Sequence, residues 1–422
     1  MHQSLLPDPE ITMLNIIDSE KVNRILPLFR LAFRPFFLGG ALFSLVALTL
    51  WGGFWLSGGE WTPYGGWLWW HAHEMLFGFA SAIIAGFLLT AVQNWTGQDS
   101  INSWPLFALF LLWLLPRILL LYPIANSEAF LPWLDLAFLP VVALVMGRLV
   151  WRVSQYRNLI FVPVLLLLAI SNAQMHWAVV QGDGELASQA SHSGIFLIVL
   201  IMTVLGGRVI PFFTATGTAT KKSEPSPTVE FLSVATVALL ALSQLAGFIG
   251  VLPPLLIASL FIIAGVANLL RLVGWHSLLT LKIPLLWSLH IAYLFIVLGF
   301  FLCALRYAGL SLAWFSGFAY HYATILHSFT LGGMGLLILA MMSRVSLGHT
   351  GRNLIVGPWM SAAFICLCFA YLCRIWLPLA WPGSSHYLSY VLSIAFWLVG
   401  YGIFFAIYAP ILCRARIDGR PG

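Results

Sequence analysis

Twelve apolar runs of roughly twenty residues, separated by short polar or Gly/Pro-containing breaks, constrain this chain more than any other feature. A helix needs about 20 mostly apolar residues to cross a bilayer, and only helices or closed barrels satisfy their backbone groups there. The runs fall at 36–57, 67–92, 103–122, 132–150, 158–181, 190–211, 228–251, 253–273, 281–306, 320–343, 356–377 and 386–412. Pro253-Pro254 reads as a tight turn between two spans. Composition agrees, with 61% hydrophobic and 8% charged residues, because a soluble domain carries about 25% charged residues. The expected fold is therefore an all-α polytopic membrane protein of about twelve transmembrane helices. Residues 1–34 form an N-terminal segment, 35–412 one transmembrane domain, and 413–422 a tail.

Charge gives the orientation. With the N-terminus in the cytoplasm, 17 of the 20 lysines and arginines fall on the inner side, as the positive-inside rule requires. Only Arg117, Arg306 and Arg374 fall outside. The expected location is the bacterial inner membrane, multi-pass, with both termini cytoplasmic. The net charge of +6 belongs to loops facing lipid headgroups and implies no nucleic-acid partner. Residues Met1 to Asn23 lack the cationic start and short apolar core of a cleaved signal. The outer run Trp61, Trp67, Trp69 and Trp70 fits an interfacial aromatic belt.

Three segments share a spacing. His73 precedes Gly97 by 24 residues, His192 precedes Gly217 by 25, and His327 precedes Gly351 by 24. Each segment closes on Thr-Gly or Thr followed by Gly. A common helix stop at the far membrane face would give the same numbers. Otherwise the chain is built as three pseudo-repeats of four helices.

Histidine carries the chemistry. His71, His73, His176, His192, His321, His327 and His386 all fall in or beside the outer half. Polar residues inside a bilayer are costly and usually functional, and neutral imidazole is the usual ligand of haem iron and copper. His71, His73, His176, His192, His321 and His327 are the candidate metal ligands. A single such histidine would more often be a hydrogen-bonded core residue. At 3.6 residues per turn His71 and His73 project about 200° apart, so they serve different groups. His321 and His327 lie about 9 Å apart along their helix and do so too. Met75, Met175 and Met334 could serve as soft donors, but ordinary packing is the stronger reading for each.

Glu74 follows His73 and is the candidate catalytic residue, carrying protons to a metal; fixing a ligand histidine is the other reading. Arg117 and Arg374 either pair with the propionates of a haem or snorkel outward. Asp135 sits in the outer part of the fourth span. The five cysteines form neither Cys-x-x-Cys nor Cys-x-x-Cys-His, which excludes covalent haem attachment and thiolate zinc sites and leaves buried apolar roles.

Several strings resemble the NnrS family: Leu31 to Leu38, Trp70-His71-Ala72-His73-Glu74-Met75 through Phe79, and Ala85 to Val92. Asn94-Trp95-Thr96-Gly97, Gly206-Gly207-Arg208-Val209-Ile210-Pro211, and Met341 through Arg352 match it too. The resemblance implies non-covalent b-type haem, copper, and tolerance of nitric oxide. A more distant likeness is to haem–copper oxidase and nitric oxide reductase subunits, with twelve helices in three arcs of four. Their ligand histidines lie on helices 2, 6, 7 and 10, whereas Thr228 to Val251 here contains none. The leading expectation is a haem protein that binds and reduces or detoxifies nitric oxide. An external electron donor or a quinone would then be a partner, as would the bilayer. A haem-based sensor or buffer without turnover stays open, as does a secondary transporter of a metal or metal–nitrosyl complex. The string Gly348 to Arg352 has no assigned chemistry beyond stopping a helix.

Overall fold

Pro at one of the first two positions opens five of the spanning helices, where its missing N–H costs nothing, and a left-handed glycine closes others. These two signals set many of the boundaries in the computed structural model, which describes residues 24–58, 62–123, 129–224, 226–310, 321–380 and 385–420. Among the described residues twelve helices are long and apolar enough to cross a membrane. They are α1 (Phe33–Ser57), α2 (Trp67–Thr96), α3 (Ser103–Leu121), α4 (Leu131–Arg152), α5 (Tyr156–Gln181) and α6 (Gly184–Thr218). The second half comprises α7 (Pro227–Leu245), α8 (Pro254–Gly274), α9 (Pro284–Tyr307), α10 (Tyr322–His349), α11 (Pro358–Trp376) and α12 (Tyr387–Leu412). No strand occurs among the described residues.

Every expected span has its helix, with ends displaced by up to seven residues, as at α6, which runs on to Thr218 rather than 211. α7 stops at Leu245 rather than 251, because Gly247 takes φ +76 and breaks the ladder. α6 begins six residues earlier than expected, since the Asp183 carboxylate caps it by accepting from the backbone N–H groups of Glu185 and Leu186. α10 continues to His349. The Pro253-Pro254 pair is the turn expected between two spans, with Pro254 opening α8.

Successive helices pack on one another around most of the bundle, and α12 returns to pack on α1. α2, α6, α9 and α10 are the most buried. At one end of the bundle basic side chains tie the chain together. The Arg34 guanidinium donates to the carbonyls of Leu412 and Arg414 at 3.0 and 2.6 Å. Arg416 donates to the His349 carbonyl at 3.2 Å. Gly351, at φ +75, ends the turn after α10 against Asp418, and the Ile417 N–H donates to the Thr350 carbonyl. The Gly348–Arg352 string therefore docks the C-terminal segment as well as stopping the helix.

Three helices contain π-wound stretches: Glu74–Ala80 in α2, Ser328–Gly335 in α10 and Leu372–Trp376 in α11. Two begin immediately after His73 and His327, and the third contains Arg374. Such winding is rare and concentrates at functional sites. All three lie toward the end of the bundle opposite Arg34 and Arg416.

Candidate functional site

His71 and His73 separate onto opposite faces of α2, as the helical period requires. Each face leads to a different group of polar residues.

The first group surrounds a cavity of about 340 Å³ formed by α1, α2, α6, α10, α11 and α12. His71, His192 and His327 enter it from α2, α6 and α10, and Arg374 enters from α11. The His71 ring stacks on Trp51, with centroids 4.4 Å apart and planes 7° apart, and its Nδ1 is buried without a hydrogen-bond partner among the described residues. His327 Nδ1 lies 2.6 Å from the Ala323 carbonyl. A carbonyl only accepts, so Nδ1 carries the proton and Nε2 keeps its lone pair. The rest of the wall is aromatic and aliphatic, including Trp55, Phe79 and Trp397, with Met75 and Met334 among it. Among the described residues no aspartate or glutamate lines it. Arg374 is buried, donates to Thr324 Oγ1 at 3.3 Å and lies over the Tyr390 ring at 4.6 Å. Among the described residues no carboxylate pairs with it. The three cavity histidines do not bring ring nitrogens within 4.8 Å of one another as a set. The arrangement thus suits a broad, apolar, anionic group with a ligand-accepting centre better than a bare ion.

The second group is a fully buried polar cluster on the other face of α2. The His73 ring stacks on Trp69 at 4.4 Å and 11°. Its Nδ1 donates to Glu74 Oε1 at 2.8 Å. Its Nε2 faces Asn172 Oδ1 at 2.8 Å and Asp135 Oδ2 at 3.2 Å. Arg117 donates to Glu74 Oε1 at 2.7 Å and forms a second ion pair with Asp135 Oδ1. Asn172 Nδ2 donates to Asp135 Oδ2 at 2.7 Å, and His176 Nε2 lies 3.1 Å from the same oxygen. The cluster joins α2, α3, α4 and α5. It needs Gly78, where a Cβ would stand 3.0 Å from both Arg117 Nη1 and Glu74 Oε2.

Eight of the nine expected site residues divide between the two groups in a way the sequence spacing did not resolve. His71, His192, His327 and Arg374 line the cavity, while Glu74, Arg117, His73 and His176 make the cluster. Only His321 joins neither; it is the exposed N-cap of α10. The His386 side chain lies outside the described residues. Arg117 does not snorkel: it is 3% exposed and held by two carboxylates. The aromatic belt also needs correction. Trp67, Trp69 and Trp70 are buried, because α2 lies inside the bundle; Trp61 lies outside the described residues. Asn172, Trp51 and Trp69 carried no site role in the sequence, and cross-helix contact alone identifies them.

A family model described as NnrS protein matches residues 27–416. No curated protein matches the chain.

Proposed function

The chain belongs to the NnrS family, and we propose that it is a membrane haem protein whose cavity binds nitric oxide and, with an external electron donor or a quinone, supports its reduction. The observation that carries this reading is the convergence of His71, His192 and His327 from three helices on one cavity with Arg374, which has no carboxylate partner among the described residues. The arginine excess at the other end supports an inner-membrane protein with that basic end cytoplasmic, which puts the cavity in the outer half of the bilayer.

A non-covalent haem would be held by these residues. His327, with its Nδ1 proton fixed by the Ala323 carbonyl, offers Nε2 to iron, as second-shell hydrogen bonds do in metal sites generally. His71 would leave the iron's remaining position to nitric oxide, its unpartnered Nδ1 giving a polar contact beside the group, and Arg374 would neutralise propionate charge. Bound haem iron supplies a coordination position for nitric oxide and one-electron chemistry. The apolar wall admits a small apolar gas directly from lipid. Reduction of two nitric oxide molecules to nitrous oxide and water would consume two electrons and two protons, and Ser191, Thr330 and Ser393 are hydroxyl-bearing residues among the cavity's lining.

A second reading, nitric oxide binding without turnover, is favoured by one observation: the buried acid Glu74 faces the cluster, and among the described residues no carboxylate lines the cavity. Nitrous oxide assay of the reduced, haem-loaded protein separates the two. Production that stops in His327→Ala supports reduction, whereas a nitric oxide-shifted spectrum without nitrous oxide supports buffering. Unaltered haem content in both His71→Ala and His327→Ala would remove the cavity assignment.

A further inference from the structure

We propose that His73, Asp135 and His176 form a separate site for one first-row transition-metal ion, on the opposite face of α2 from the cavity. The proposal does not rest on what fills the cavity.

Donor geometry is the first argument. His73 Nε2 and His176 Nε2 both approach Asp135 Oδ2, at 3.2 and 3.1 Å, and the three atoms lie within 4.8 Å of one another. Nitrogen and oxygen donors bind such ions at about 2.0–2.2 Å, which puts tetrahedral neighbours about 3.3 Å apart. Two of the three edges are therefore close to ligand spacing before any ion enters.

Lone-pair direction is the second. Glu74 accepts a hydrogen bond from His73 Nδ1–H, so in the neutral imidazole Nε2 keeps a lone pair. That lone pair faces two oxygens, Asn172 Oδ1 and Asp135 Oδ2. The amide orientation is fixed, because Asn172 Nδ2 donates to Asp135. In the neutral imidazole these lone pairs face one another, an arrangement that a metal ion or a proton placed among them relieves. A carboxylate behind a ligand imidazole is also the usual second-shell support of a metal.

Charge is the third. With neutral imidazoles, Arg117 offsets only one of the two carboxylates Glu74 and Asp135. One negative charge is left in a fully buried region, where it is costly. Glu74 Oε2 and His176 Nδ1 are also buried without partners among the described residues. Two imidazoles with a carboxylate and an amide oxygen suit copper, zinc or iron rather than calcium or magnesium. Among divalent ions the affinity order favours copper.

The test uses the full-length protein in detergent, loaded with Cu(II) or Zn(II), desalted and counted for metal per chain, with haem iron counted separately. The expected result is about one retained copper or zinc per chain. The X-ray absorption spectrum at that metal's own edge should show nitrogen and oxygen donors including two imidazoles. His176→Ala should lower retention at least about tenfold, in the range seen when ligand-shell residues are removed, and Asp135→Asn should do likewise, while His71→Ala retains the ion. No retained ion in the unmutated protein would overturn the proposal, leaving a proton as the positive centre. So would sulfur ligation, or loss of the ion in His71→Ala with retention in His176→Ala. The absorption spectrum of the unmutated protein decides even where a variant fails to fold. Loss of haem alone bears on the cavity and leaves this result untouched.

Discussion

His71 and His73, two residues apart on α2, stack on different tryptophans in different compartments: His71 on Trp51 at the cavity, His73 on Trp69 in the buried cluster. One helix thus serves two sites, and the two substitutions should have separable effects. His71→Ala is expected to lower haem content with little change in thermal unfolding. His73→Ala is expected to lower the unfolding temperature while the cavity keeps its haem. Equal loss of haem in both would merge the two sites into one.

Arg117 holds two buried carboxylates. Arg117→Leu leaves both without their cation, which costs about 3–5 kcal/mol in buried pairs. The expected outcome is a clear drop in thermal stability in detergent. Arg117→Leu combined with Glu74→Gln and Asp135→Asn should recover part of it, because no unpaired charge then stays buried. A triple variant less stable than the single one would refute the ion-pair account.

Arg374 is the cavity's buried cation. Arg374→Gln should weaken haem retention about tenfold or more on repeated washing, and Arg374→Lys should restore part of it, since charge survives while the planar fork is lost. Haem-to-protein ratio measures this. Retention unchanged in Arg374→Gln would mean that propionate charge is met elsewhere.

Gly78 sits where a Cβ would stand against Phe43, Arg117 and Glu74. Gly78→Ala should destabilise by about 1–3 kcal/mol, as overpacking does in close-packed interiors. Thermal unfolding checks the magnitude.

At the basic end, hydrogen bonds from the Arg416 guanidinium depress the Asp418 carboxyl to about 2. A depressed folded value means that the contact is fully present above the ordinary carboxylate range and is lost as pH falls through about 2. A spin label on the exposed Cys413 should show constant mobility from pH 7 to about 4 and rising mobility below. Asp418→Asn should raise mobility already at neutral pH. A flat profile in both would contradict the latch.

The twelve helices were legible because each run is long enough to cross a bilayer and the breaks between runs are polar or carry Pro or Gly. The opposition of His71 and His73 was legible because it follows from 100° per residue. What escaped the sequence depends on contacts between distant helices. Arg117 meets Glu74 from 43 residues away, and no local pattern marks that partner. Trp69 looked interfacial because a tryptophan-rich run near a helix start usually is; only the burial of α2 inside the ring reverses it. The π-wound stretches after His73 and His327 leave no periodicity signal in runs that are apolar on all sides. The early end of α7 hinges on the left-handed backbone of Gly247, one glycine among 36.

The central claim is that the cavity bounded by His71, His192, His327 and Arg374 holds haem open to nitric oxide. The most direct measurement is the reduced-minus-oxidised absorption spectrum of the purified protein, with and without nitric oxide, alongside iron counted per chain. The account predicts a b-type haem signal that nitric oxide shifts and that His327→Ala diminishes. Protein grown with ample iron that carries no haem, or haem whose spectrum nitric oxide leaves unchanged, would contradict it.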